Sequence, residues 1–161
     1  MTAFTGTPQA TLNIDAFTTA SPKVAGTYAF ELRHWEKYTH TATEGSGTGE
    51  VDLILLPPGR LRIYPDLSRI VTTQFGASAD LHLGYRAYTE PDGDAVVEDD
   101  NAFLDNADAG GGALDEAWVL PAVGYLEVNT KEGLQIFAMI DAGNIEADDT
   151  IEGWVAFTRV G

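Results

Sequence analysis

The chain is predicted to be mostly β: an antiparallel β-sandwich, jelly-roll-like, with one short helix and an extended N-terminal arm. Three observations predict this class. Apolar and polar residues alternate in short runs, the runs are rich in β-branched and aromatic side chains, and Gly, Pro, Asp and Asn punctuate them. Eight or so such strands without long helical segments between them favour two packed antiparallel layers around one core. The 161 residues suit a single domain. The strand order does not follow from the spacing.

Residues 1–26 hold only Asp15 and Lys23 as charges and are rich in Thr, Ala, Pro and Gly. That composition cannot build a core, so this stretch reads as an extended arm preceding a sandwich domain at 27–161. Leu12, Ile14, Phe17 and Val24 are apolar enough to lie on a neighbouring surface. From Thr27 the period becomes two, with Tyr28, Phe30 and Leu32 alternating with Ala29, Glu31 and Arg33, which predicts a first strand over about 27–39. The Gly-rich stretch Glu44–Glu50 then leads into a second strand, Val51–Leu56. Pro57-Pro58-Gly59 carries the residues of a type II turn, in which Pro presets φ and Gly supplies a positive one. The next strand places Leu61 and Ile63 on one face and Arg60 and Arg62 on the other.

Runs of the same kind occupy Leu67–Phe75, Ala79–Tyr88, Val123–Asn129, Leu134–Asp141 and Ile151–Val160. The clearest sets Leu81, Leu83, Tyr85 and Ala87 against Asp80, His82, Gly84 and Arg86. Between Pro91 and Trp118 the alternation lapses. There Asp99–Asn106 reads as one short helix behind an Asp N-cap, ended by Gly110-Gly111-Gly112.

Composition excludes several functions. The chain has no cysteine, so disulfides, thiol nucleophiles and Cys-type zinc sites are absent. No basic segment followed by an apolar one opens the chain, and no apolar stretch approaches the roughly 20 residues of a membrane helix, so neither export by a signal peptide nor membrane insertion is expected. A net charge of −16 with nine basic residues argues against nucleic acid and anionic membranes as partners. The charge is polarised along the chain. Residues 1–86 carry eight acids and seven bases, residues 87–161 seventeen acids and two bases, and no Lys or Arg falls between Ala87 and Thr130. A solvated acidic surface accounts for such a run; the sharper reading sets the near-neutral half against a partner and the acidic half against water.

No motif carries catalytic chemistry. Gly45-Ser46-Gly47-Thr48-Gly49 lacks the Lys-Ser/Thr pair and the following helix of a phosphate loop. The acids Asp92, Asp94, Glu98, Asp99 and Asp100, and the set Asp141, Asn144, Glu146, Asp148 and Asp149, offer oxygens to a hard cation but do not have EF-hand spacing, so solvated loops are expected and no metal or cofactor. Carboxylate pairs are uninformative among 25 acids. His34, His40 and His82 show no zinc-ligand spacing, and Ser46, Ser68 and Ser78 sit in no nucleophile elbow. Trp35, Trp118 and Trp154 with six tyrosines could line a sugar-binding face, which makes a carbohydrate-binding module the alternative from another class, although core packing explains Trp154 as well.

The segments Leu55-Leu-Pro-Pro-Gly-Arg-Leu61, Gly84-Tyr85, Ala102-Phe-Leu-Asp105, Gly133-Leu-Gln-Ile-Phe-Ala138 and Gly153-Trp-Val-Ala-Phe157 together resemble, in order and pattern, the head decoration (cement or minor capsid) proteins of tailed bacteriophages. The resemblance covers roughly two-thirds of the chain and leaves residues 1–50 unmatched, so a head-fibre or tail position is the alternative within the virion. It implies a non-enzymatic virion protein on the outer capsid surface, present in the host cytoplasm before assembly. It also implies a β-sandwich that sits, often as a homotrimer, at threefold positions and clamps major capsid protein subunits. Phe4, Leu12, Ile14 and Phe17 in the arm, with Arg60, Arg62 and Arg69, are the expected capsid-contact residues.

Overall fold

The computed structural model describes residues 33–43, 49–119 and 124–160. The predicted arm and the first six positions of the predicted first strand lie outside the described residues. Among the described residues there are twelve strands: β1 (Arg33–Thr41), β2 (Gly49–Leu56), β3 (Gly59–Ile63), β4 (Arg69–Thr72), β5 (Asp80–Tyr85), β6 (Tyr88–Thr89), β7 (Ala95–Val96), β8 (Asp99–Asp108), β9 (Asp115–Ala117), β10 (Leu126–Thr130), β11 (Leu134–Asp141) and β12 (Thr150–Arg159). A single 3₁₀ turn, Pro65–Leu67, joins β3 to β4.

All paired strands are antiparallel. A six-stranded sheet runs β10-β3-β12-β4-β9, with β1 along the other side of β12; a four-stranded sheet runs β2-β11-β5-β8; β6 and β7 form a small ribbon. The chain repeatedly passes from one large sheet to the other, and their inner faces meet in one core, as expected for a jelly-roll-like sandwich. Pro57-Pro58-Gly59 makes one of these crossings, with Gly59 at φ +110°. The turn therefore joins two sheets rather than closing a hairpin.

Strand β12 organises the six-stranded sheet. Its residues Thr150–Thr158 pair with β1, while Ile151–Trp154 pair with β4 and Phe157–Arg159 with β3 on the other side. The 3₁₀ turn fills the gap between β4 and β3. There Tyr64 N donates to Ala156 O at 2.9 Å, Ala156 N to Ser68 Oγ at 2.9 Å and Trp154 Nε1 to Leu67 O at 2.9 Å. The backbone groups of β12 that lack a strand partner there are thus satisfied without breaking the sheet.

The alternation read from the sequence sets the core. Leu61, Ile63, Ile70, Ile151, Val155 and Phe157 from one sheet meet Leu81, Leu83, Ile136, Ala138 and Ile140 from the other, all fully buried or nearly so. Burying each larger aliphatic or aromatic side chain stabilises the fold by about 1.5–3 kcal/mol relative to exposure.

The stretch predicted as a helix, Asp99–Asn106, is part of the ten-residue strand β8. Its adjacent Phe103 and Leu104 are both buried, which suits a helix and contradicts simple alternation. The strand accommodates them by register shifts against β5, between Leu81 and Leu83 and again between Leu83 and Tyr85. Such bulges re-aim side chains, and here they turn Phe103 onto Tyr85 and Trp118, with ring centroids 6.2 and 4.7 Å apart. An eight-residue helix would have had little intrinsic stability to set against that packing.

Candidate functional site

The predicted contact residues among the described positions come from two strands. Register places Arg60 and Arg62 of β3 and Arg69 of β4 on the outer face of the six-stranded sheet. Leu61, Ile63 and Ile70 fill the core, so the intervening arginines must point away from it. The same face carries Arg33, Trp35 and Lys37 from β1, Glu152, Trp154, Ala156 and Thr158 from β12, and Glu127 from β10. Phe4, Leu12, Ile14 and Phe17 lie outside the described residues.

Each of the three arginines meets a carboxylate. Arg60 and Arg62 share Glu127, the latter through Nε to Oε2 at 2.9 Å. Arg69 Nε lies 2.5 Å from Asp115 Oδ1, and its guanidinium also donates to the Asp115 carbonyl at 3.1 Å. Hydrogen bonds from Arg62 and then Arg60 hold the Glu127 carboxyl below the usual range, and Arg69 does the same for Asp115. These pairs are exposed or, for Arg62 with Glu127, partly so, and they orient side chains more than they stabilise the fold.

Aromatic rings hold the guanidiniums from the other side. Arg33 Cζ is 4.9 Å from the Tyr64 ring centroid and Arg62 Cζ 5.0 Å from that of Tyr125, and the two tyrosine rings are 6.3 Å apart. Trp35 stands on the same face with 56% of its surface exposed. Trp118, predicted as a groove aromatic, is 2% exposed and belongs to the core, because the β8 bulges bring Phe103 against it. Trp154 is half-buried and spends its indole N–H on Leu67.

The outer face of the four-stranded sheet is opposite in character. Register places Glu50, Asp52, Asp80, Asp108 and Asp141 there. Arg86 is the base among them, bonded to Glu50, to Asp52 at 2.9 Å and to Glu98 at 3.2 Å, and it lies over the ring of Phe137 at 3.9 Å. His82 also faces outward by register but is mostly covered, with Nδ1 3.2 Å from Asp105.

Charge is therefore sorted by face, where the sequence suggested sorting by half. Five of the eight described bases, Arg33, Lys37, Arg60, Arg62 and Arg69, share the outer face of the six-stranded sheet, with Glu127, Asp115 and Glu152 as the acids at its strand positions. Glu50, Asp52 and Asp80 belong to the near-neutral half of the chain yet lie on the acidic face. Glu127 and Asp115 belong to the acidic half yet pair with arginines. Antiparallel sheets bring distant segments together, so linear charge blocks do not map onto surfaces.

The depression lined by Gly49, Glu50, Met139, Ile140 and Asp141 has a volume of about 290 Å³ and presents two carboxylates. Among the described residues no three His, Asp or Glu side chains converge as metal ligands, and the acidic loops weighed for a cation do not form such a group. The side chains gathered on the six-stranded sheet are suited to binding a surface.

No protein-family model matches the chain, and no curated protein matches it. Solved structures do. A chain of the capsid asymmetric unit of cyanophage Pam1 superposes with TM-score 0.55 at 10% identity, over 83% of this chain and 89% of that one. A chain from the acidic stable capsid of Helicobacter pylori bacteriophage KHP30 gives TM-score 0.39 at 14% identity over 80% of this chain and 95% of that one. A chain of infectious bursal disease virus, Gx strain, gives 0.44 at 13% identity, with 79% of this chain spanning 32% of its length. The last two scores are too low to carry an argument. The first establishes that this β-sandwich is a fold also built by a chain of a phage capsid.

Proposed function

We propose that the chain is a structural protein of a virion, a decoration or cement protein that binds the outside of a tailed-phage shell and bridges neighbouring major capsid protein subunits. The observation that carries this reading is the near end-to-end likeness of fold to the Pam1 capsid chain. The binding face supports it, being an extended sheet surface of Arg, Tyr and Trp rather than a concave pocket. Bridging acts through buried area, and stable attachment calls for an interface of about 1,200–2,000 Å². The arm residues Phe4, Leu12, Ile14 and Phe17 would add to the area supplied by the sheet around Arg60, Arg62 and Arg69. Association as a trimer at threefold positions belongs to the same reading.

The test is decoration of assembled empty shells. Purified chain is mixed with shells and the complex imaged by electron cryomicroscopy, with light scattering on the free chain. Density for the sandwich on the outer surface at the junction of capsid subunits is the expected result, and bare shells at micromolar chain would sink the proposal. The carbohydrate-binding alternative keeps Trp35 as an exposed aromatic but has lost Trp118 to the core.

A further inference from the structure

The outer face of the six-stranded sheet holds a combination of groups that neither its fold nor its ion pairs require. Among the described residues strand β1 lies at the edge of the sheet, paired along its length with β12, and its outward residues include Arg33, Trp35 and Lys37. Trp35 stands opposite the small Ala156 and leaves more than half its surface to solvent. Next to it runs the row Arg33, Tyr64, Tyr125 and Arg62, in which each guanidinium lies over a ring. Ring stacking limits the freedom of both arginines before any partner arrives, so less entropy is lost on binding. Trp, Tyr and Arg are also the residues that dominate the energetics of protein interfaces.

We infer that this face is a protein-docking surface whose partner presents carboxylates, with Trp35 as its apolar anchor and Arg33 and Lys37 as its charged border. The inference rests on the virion reading and names the attachment face within it. Charge complementarity carries the choice of partner. The chain has a net charge of −16, and its opposite sheet face bears Glu50, Asp52, Asp80, Asp108 and Asp141, so an acidic surface is repelled by that side and attracted by this one. The electric field thus selects one of the two faces of the sandwich. Duplex nucleic acid is disfavoured as the occupant because three of the bases here, Arg60, Arg62 and Arg69, already face carboxylates on neighbouring strands.

The experiment titrates full-length protein onto assembled shells by co-sedimentation at low and moderate salt. It compares the natural chain with Trp35→Ala, Lys37→Glu and, on the opposite face, Leu55→Ala, whose side chain is 59% exposed. Trp35→Ala is expected to weaken binding on the order of tenfold or more. Lys37→Glu should weaken it too, with the loss reduced by salt, and Leu55→Ala should leave it unchanged. Circular dichroism melts establish that each variant folds, and both β1 substitutions are at exposed edge positions. If the natural chain binds shells and the two β1 variants bind equally well, or Leu55→Ala loses as much, the docking face is wrong while the virion reading stands. If the natural chain does not bind shells, the virion reading fails and this inference with it. Self-association in sedimentation velocity, or retention on duplex DNA, that disappears in Trp35→Ala would show a different occupant and overturn the proposal.

Discussion

Tyr38 is the buried residue of an otherwise exposed strand, and it fixes β1 to the sandwich. Its hydroxyl donates to the Arg69 carbonyl at 2.8 Å, directly across β12 at Gly153, its register partner. A Cβ at Gly153 would lie 2.0 Å from Arg69 O and 2.7 Å from the Tyr38 hydroxyl, so glycine is required by close approach. Gly84 is held for the same reason, since a Cβ there would lie 1.9 Å from Asp99 O. Burial pushes the Tyr38 phenol well above its ordinary value of 10.0, and burial together with nearby negative charge raises Tyr85 and Tyr88. The folded state therefore keeps protons that the unfolded chain releases near pH 10, so stability holds below that pH and falls as pH rises beyond it. Urea melts between pH 8 and 11.5 are expected to show that decline, with a shallower one for Tyr38→Phe. An equal slope in the two proteins would mean that Tyr38 is not the group responsible.

At the scale of elements, β12 and β1 differ in what surrounds them. Strand β12 is paired on both sides and carries buried residues at six of its ten positions, whereas β1 is, among the described residues, an edge strand with one clearly buried side chain. Amides of β12 are therefore expected to exchange with solvent only on global unfolding, while alternate amides of β1 exchange orders of magnitude faster. Hydrogen exchange resolved by residue checks this, and equal protection of the two strands would contradict the edge assignment. The strands with regular alternation, β3, β5, β11 and β12, were legible in the sequence because one of their faces is buried and period two is the trace it leaves. Strand β8 was not legible. Its Asp and Asn residues have low strand propensity, and its two bulges erase the period, so only pairing with β5 and the packing of Phe103 on Trp118 make it a strand.

For the whole molecule, the two outer faces of the sandwich carry opposite charge at their strand positions. Removing residues 1–20 is expected to leave the sandwich folded, because the core found among the described residues is closed by side chains from Tyr38 to Phe157, and to abolish shell binding. Circular dichroism with co-sedimentation reads both outcomes. A truncated chain that decorates shells with unchanged affinity would remove the arm from the binding account.

The sequence by itself determined that the chain is an antiparallel sandwich, that Arg60 and Arg62 point away from its core, and that no cysteine chemistry is available. These are properties of composition and of short-range periodicity, and they survive any strand order. The tertiary structure alone decided which distant strands share a face. It joined Arg33 and Lys37 of β1 to Arg62 and Arg69, set Glu127 and Asp115 among them, took Trp118 into the core and left Trp35 in solvent. Pairing between strands far apart in the chain is chosen by how whole faces pack, and no local pattern of residues encodes it.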